Sequence, residues 1–115
     1  MSQKLHAVIS ARLFTDQKCF GPGVAELLNR VEEHGSLRSA AKSMEMAYSK
    51  AWTIVKNAES CLDVKLIESS TGGKNGGGAR LTDKARQILS AYESYRKKLI
   101  AFSDSIFNEE FADFL

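Results

Sequence analysis

With 115 residues, 43% apolar and 26% charged, the chain has the composition of a single globular domain with a modest core, not of a disordered polymer. Its opening residues, Met1-Ser2-Gln3-Lys4-Leu5-His6, lack the apolar run of a signal peptide, and no stretch approaches the roughly eighteen apolar residues of a membrane span, so a soluble cytoplasmic protein is expected. A net charge of +2 permits a nucleic-acid partner without arguing for one.

Leu5, Ala7, Ile9, Ala11 and Leu13 alternate with mostly polar neighbours, which predicts a half-buried N-terminal strand, and Thr15-Asp16-Gln17-Lys18 predicts a turn after it. The single proline, Pro22, suits a first helical turn. Val24, Leu27, Leu28 and Val31 line one face of that helix, and Gly35 is its natural C-terminal cap. Ser36 can cap a short second helix whose Leu37, Ala40, Ala41 and Met44 face inward. After the tight Met44-Glu45-Met46 connection, a third helix opens near Tyr48 and carries Ala51, Trp52, Ile54, Val55, Ala58 and Cys61, with Trp52 read as a packing residue. Lys65–Glu68 and Ala79–Leu81 read as strands around a loop that holds five of the eight glycines. Thr82 caps a last, long helix in which Leu81, Ala85, Ile88, Tyr92, Tyr95, Leu99, Phe102 and Ile106 recur at alternating spacings of 4 and 3, a heptad seam.

These elements make a mostly α fold with a small β component. The expected organisation is a winged helix-turn-helix over residues 1–82, including the N-terminal strand, a long dimerisation helix over 83–107, and an acidic aromatic tail over 108–115. Two helices joined by a short turn can place the second in a DNA major groove. Tyr48, Ser49, Lys50 and Thr53 would then meet bases or phosphates. Ser36, Arg38 and Ser39, at the start of the preceding helix, suit a phosphate, or serve only as a cap with solvated side chains. The Gly-rich hairpin would be the wing, with Thr71, Lys74, Asn75 and Arg80 reaching the flanking backbone or minor groove. Charge follows this division: residues 36–80 carry seven basic and four acidic side chains, whereas the last thirteen residues carry four acidic and no basic ones. The seam residues Ile88, Tyr92, Tyr95, Leu99, Phe102 and Ile106 are the expected dimer interface, because a domain this small cannot cover so long a helix.

Competing readings are weaker. A nucleotide-binding P-loop needs Gly-Lys-Ser/Thr opening a helix, but Gly73-Lys74 is followed by Asn75 and more glycine. The loop could also be a plain linker. No nucleophile with a base and an orienting group can be assembled, so no enzyme, catalytic residue, metal or cofactor is expected. Cys19 and Cys61 are expected as free thiols, with one disulfide as the alternative.

The runs Ser36-Leu37-Arg38-Ser39-Ala40-Ala41-Lys42, Met46-Ala47-Tyr48-Ser49-Lys50-Ala51-Trp52 and Thr71-Gly72-Gly73-Lys74-Asn75-Gly76-Gly77-Gly78-Ala79-Arg80-Leu81-Thr82 resemble the N-terminal domain of the molybdate-responsive ModE regulators and, more distantly, the LysR-type winged helices. The resemblance spans about residues 5–100. It implies a homodimer, joined through the first strand and the long helices, that binds a palindromic operator in double-stranded DNA. It marks Tyr48, Ser49, Lys50 and Thr53 as the DNA-reading segment, and Lys74 and Arg80 as wing contacts. ModE regulators continue past the long helix into molybdate-binding domains, whereas this sequence stops at Leu115. Direct sensing is therefore not expected of it, and any effector is expected to act through a separate effector-sensing protein or not at all. The alternatives to DNA binding are a winged-helix protein-interaction module, or a molybdate- or tungstate-binding protein that uses the Gly-rich loop.

Overall fold

The computed structural model describes residues 4–70 and 78–115. The order is β1 (Leu13–Phe14), β2 (Lys18–Phe20), α1 (Pro22–His34), α2 (Leu37–Ser43), α3 (Tyr48–Leu62), β3 (Ile67–Ser70), β4 (Gly78–Leu81), α4 (Asp83–Glu110) and a short 3-10 turn at Ala112–Phe114. The fold is mostly helical, with two small antiparallel sheets, β1–β2 and β3–β4.

Local chemistry sets the helix ends. Pro22 starts α1, and Gly35 closes it with φ 78°, a left-handed conformation that glycine adopts without steric cost. The Ser36 hydroxyl accepts from the Ser39 N–H at 3.0 Å and caps α2. The turn into α3 is tight: Glu45 sits at φ 54°, and the Met46 N–H returns to the Ala41 carbonyl at 2.9 Å. Ala40 and Ala41 are fully buried, and their small side chains let α2 lie close against α1 and α3. Arg30 fixes this angle by donating from α1 to the Ser43 carbonyl at 2.9 Å and to the Ser43 hydroxyl at 3.0 Å. The largest fully buried side chains, Phe20, Leu27, Leu28, Val31, Leu66 and Leu81, unite β2, α1 and the hairpin in one core.

The β3–β4 hairpin is clamped to α1. The Ala79 N–H donates to the Gly35 carbonyl at 2.8 Å, and a Cβ on Gly78 would stand 2.9 Å from that same oxygen. Only glycine permits so close an approach. Glu32 of α1 accepts from the Leu81 N–H at 3.3 Å and from Arg86 of α4 at 2.9 Å and 3.0 Å. The Arg86 hydrogen bonds, then the Leu81 N–H, hold the Glu32 carboxyl below its ordinary pKa. Thr82 joins two elements: its hydroxyl donates to the Lys65 carbonyl at 2.6 Å and accepts from the Ala85 N–H at 3.1 Å.

Four expectations are corrected here. The N-terminal strand does not form over residues 5–13. Only Leu13–Phe14 pairs, with Lys18–Phe20, and of the alternating apolar residues only Ala11 is buried. A strand requires a partner edge, and among the described residues none pairs with residues 4–12. Hairpin pairing is displaced toward the loop, over Ile67–Ser70 and Gly78–Leu81. The long helix runs to Glu110, three residues beyond the expected end. Finally, Cys19 and Cys61 are not free thiols. Packing of β2 on α3 brings their Cα atoms to 5.4 Å, and the structure joins them in a disulfide.

Candidate nucleic-acid interface

The helix-turn-helix turns one side of α3 inward and the other outward. Ala51, Val55 and Ala58 are buried, whereas Tyr48, Ser49, Lys50, Trp52 and Thr53 are exposed. The 3.6-residue period produces this split directly. Ser49 and Thr53 lie one turn apart on the outward side, and the Thr53 hydroxyl donates to the Ser49 carbonyl at 3.0 Å. That bond occupies the Thr53 proton and leaves its oxygen free to accept. Lys50 extends from the first turn into solvent.

Arg38 and Ser39 are exposed at the first turn of α2, beside the half-buried Ser36. The Arg38 guanidinium lies over the Tyr48 ring, 4.3 Å from its centroid. This cation–π contact couples the start of α2 to the start of α3 and keeps a positive charge beside the first turn of α3. Arg80, on β4, donates to Glu68 across the hairpin at 3.1 Å. Both side chains are well exposed, so the pair is weak and open to exchange for a phosphate. Thr71, Lys74 and Asn75, the other expected wing contacts, lie outside the described residues.

Trp52 departs from its expected role. It is 48% exposed and not part of the core. With Lys56 it borders a groove of about 370 Å³ between α3 and the hairpin, lined also by Leu37, Lys65, Ile67 and Ala79. Reading the sequence by type placed tryptophan inside. By spacing it sits at the edge of the core face, because Tyr48, Trp52 and Lys56 repeat every four residues in a row rotated by about 90° around the helix from Ala51, Val55 and Ala58.

Glu59 is the supporting residue that sequence reasoning missed. Its carboxylate accepts from the Leu66 N–H at 2.8 Å, from the Ile67 N–H at 3.4 Å and from Lys56 at 3.2 Å. It thereby ties the end of α3 to the entry of β3 and holds Lys56 at the groove. Burial alone would raise its pKa, but these donors outweigh it and bring the carboxyl below its ordinary 4.5. Its contribution to stability is therefore complete above that ordinary value and is lost as the pH falls through the lower folded value. Glu59→Gln should destabilise the fold by about 1 kcal/mol near neutrality. The difference between the two proteins should narrow as the pH falls through the lowered folded value, where the wild-type side chain itself takes up a proton. Urea unfolding near neutrality and in acid checks this; a gap that persists in acid would contradict it.

The expected dimer seam divides. Tyr92 is a core residue of its own domain and not a partner-facing one: it is 3% exposed, its ring meets Phe20 edge-on at 5.0 Å, and its hydroxyl donates to the Ala11 carbonyl at 2.8 Å. Leu89, which falls outside the heptad count, is buried beside it. Ile88 and Leu99 are half-buried. Tyr95, Phe102 and Ile106 are 52%, 64% and 43% exposed along the outer part of α4.

Among the described residues, no three His, Cys, Asp or Glu side chains are grouped to hold a metal, and no helix is long and apolar enough to cross a membrane. Comparison with known proteins gives one family. The pattern of bacterial regulatory helix-turn-helix proteins of the lysR family matches residues 24–86, which run from α1 through the hairpin into α4. The chain is also 33% identical over 87 residues to the molybdenum transport protein ModE of Herbaspirillum seropedicae, with 76% of this chain and 30% of that protein covered. It is 36% identical over 72 residues to the transcriptional regulator ModE of Haemophilus influenzae, with 63% and 28% covered. It is 32% identical over 90 residues to the DNA-binding transcriptional dual regulator ModE of Escherichia coli K12, with 77% and 34% covered. The chain thus spans about a third of the length of these relatives.

Proposed function

Since the chain belongs to the lysR family of bacterial regulatory helix-turn-helix proteins, we propose that it is a cytoplasmic transcriptional regulator, not an enzyme, and that it reads double-stranded DNA as a homodimer. α3 enters the major groove with Ser49, Lys50 and Thr53 toward base edges, while Arg38, Ser36 and Ser39 meet phosphate. The wing, with Arg80 and the loop residues Thr71, Lys74 and Asn75, lies along the flanking backbone or minor groove. Tyr95, Phe102 and Ile106, continued by Ile88 and Leu99, pair α4 with its copy. In domain terms, residues 1–82 form the reading head, α4 is the dimerisation helix and the acidic aromatic end is a tail.

The observation that carries this reading is the outward side of α3. It places Ser49, Lys50 and Thr53 in the open, and the one carboxylate on its last turns, Glu59, is tied to the β3 backbone. Lys50→Ala should weaken binding to a site selected from random DNA by about 10-fold, the worth of one good base contact. Wild-type affinity should fall steeply with salt as phosphate contacts release counterions. Gel-shift titration across salt concentrations measures both; affinity that is flat in salt and indifferent to Lys50, Lys74 and Arg80 substitution would end the reading. Molybdenum appears in the description of the first relative, so molybdate is the first effector to titrate, with or without a separate sensing protein.

A further inference from the structure

We propose that Trp52 determines sequence specificity by packing its exposed indole against the 5-methyl group of a thymine in the major groove. This rests on the reading of α3 as the recognition helix and adds an apolar contact to its polar ones.

Three observations point the same way. First, Trp52 lies outside the core: nearly half of it faces solvent, on a helix whose core side is already filled by Ala51, Val55 and Ala58. Second, it stands among cations. The Lys56 ammonium lies 5.5 Å from its ring centroid, Arg38 covers Tyr48 one turn earlier, and Lys65 lines the same groove. Of the nearby carboxylates, Glu59 is engaged by β3 and Lys56, and Glu68 lies across the groove in an exposed pair with Arg80. An apolar surface ringed by positive charge complements a nucleic acid better than it does an apolar protein groove. Third, Trp52 lies one turn beyond Ser49 and Tyr48 and next to Thr53, on the side of α3 that faces the hairpin. An edge of the indole placed there meets base edges while Lys56 and Arg38 reach the two phosphate rows. On those edges the thymine methyl is the distinctive apolar group.

The test uses the full chain and the site it selects from random DNA, with each thymine replaced in turn by deoxyuridine. That change deletes one methyl and alters only the DNA, so the wild-type answer does not depend on whether any variant folds. One thymine in each half-site should prove sensitive, with affinity falling roughly 3- to 10-fold on losing its methyl. Trp52→Ala should bind the thymine site more weakly by a similar factor and should not distinguish thymine from uracil at that position. Trp52 is the chain's only tryptophan, so its fluorescence should be quenched on binding and protected from iodide. Equal uracil penalties in wild type and Trp52→Ala, or full iodide access in the complex, would overturn the proposal while leaving DNA reading by α3 intact. Failure of the wild-type chain to select any DNA would overturn both.

Discussion

Phe102→Glu combined with Ile106→Glu should split the homodimer and lower affinity for a two-half-site operator by about 100-fold or more. Both residues are exposed, one helical turn apart, on the part of α4 beyond Leu99, the last of its apolar side chains packed against the chain's own core. Charging them therefore removes no contact within the reading head, and the thermal transition of the head should move little. What is lost is the linkage that makes the second half-site contact intramolecular. Light scattering should show the mass of one chain, and gel shifts should show equal affinity for one-half-site and two-half-site DNA. A double variant that keeps both the dimer mass and the operator affinity would sink the assignment of the outer seam.

Tyr92→Ala should destabilise the fold strongly, by about 3–5 kcal/mol. It deletes a ring packed edge-on against the fully buried Phe20 and leaves the Ala11 carbonyl without its 2.8 Å donor. Natural domains of this size retain only about 5–15 kcal/mol in total, so much of the population should unfold at mild urea concentrations. Tyr92→Phe keeps the ring and removes only the hydroxyl, which should cost about 1–2 kcal/mol. Urea midpoints read at an unchanged slope separate the two effects. A Tyr92→Ala loss below about 1 kcal/mol would mean that α4 is not anchored at this point.

The pattern behind these two predictions shows where sequence reasoning succeeds. Pro22, Gly35, Ser36 and Thr82 mark helix ends through chemistry confined to a few neighbouring residues, and the helices begin and end where those residues lie. The outward display of Ser49, Lys50 and Thr53 is equally legible, because it follows from the period of one helix. Three features are not local. Residues 5–13 alternate like a strand, but alternation does not supply the edge that a strand needs. Tyr92 keeps the heptad spacing and yet is claimed by Phe20 and Ala11, seventy or more positions away in sequence. Cys19 and Cys61 are 42 positions apart and meet only because β2 lies on α3. Trp52 is different again: its type suggests burial, while its position at the edge of the core face leaves it half exposed. Lys74, Asn75 and Thr71 fall outside the described residues.

The root of α4 makes that helix a lever. Thr82 fastens it to Lys65, and Arg86 fastens it through Glu32 to α1 and β4, so head and helix base turn as one body. Twenty-eight residues at about 1.5 Å each give an arm of about 42 Å. Rotating such an arm by about 10° sweeps its far end through roughly 7 Å, which is about two base-pair steps along DNA. Small changes in the angle at which two such arms cross would therefore reset the distance between two reading heads in whole base pairs. In the proposed dimer, the spacing between half-sites would thus be set far from the residues assigned to DNA.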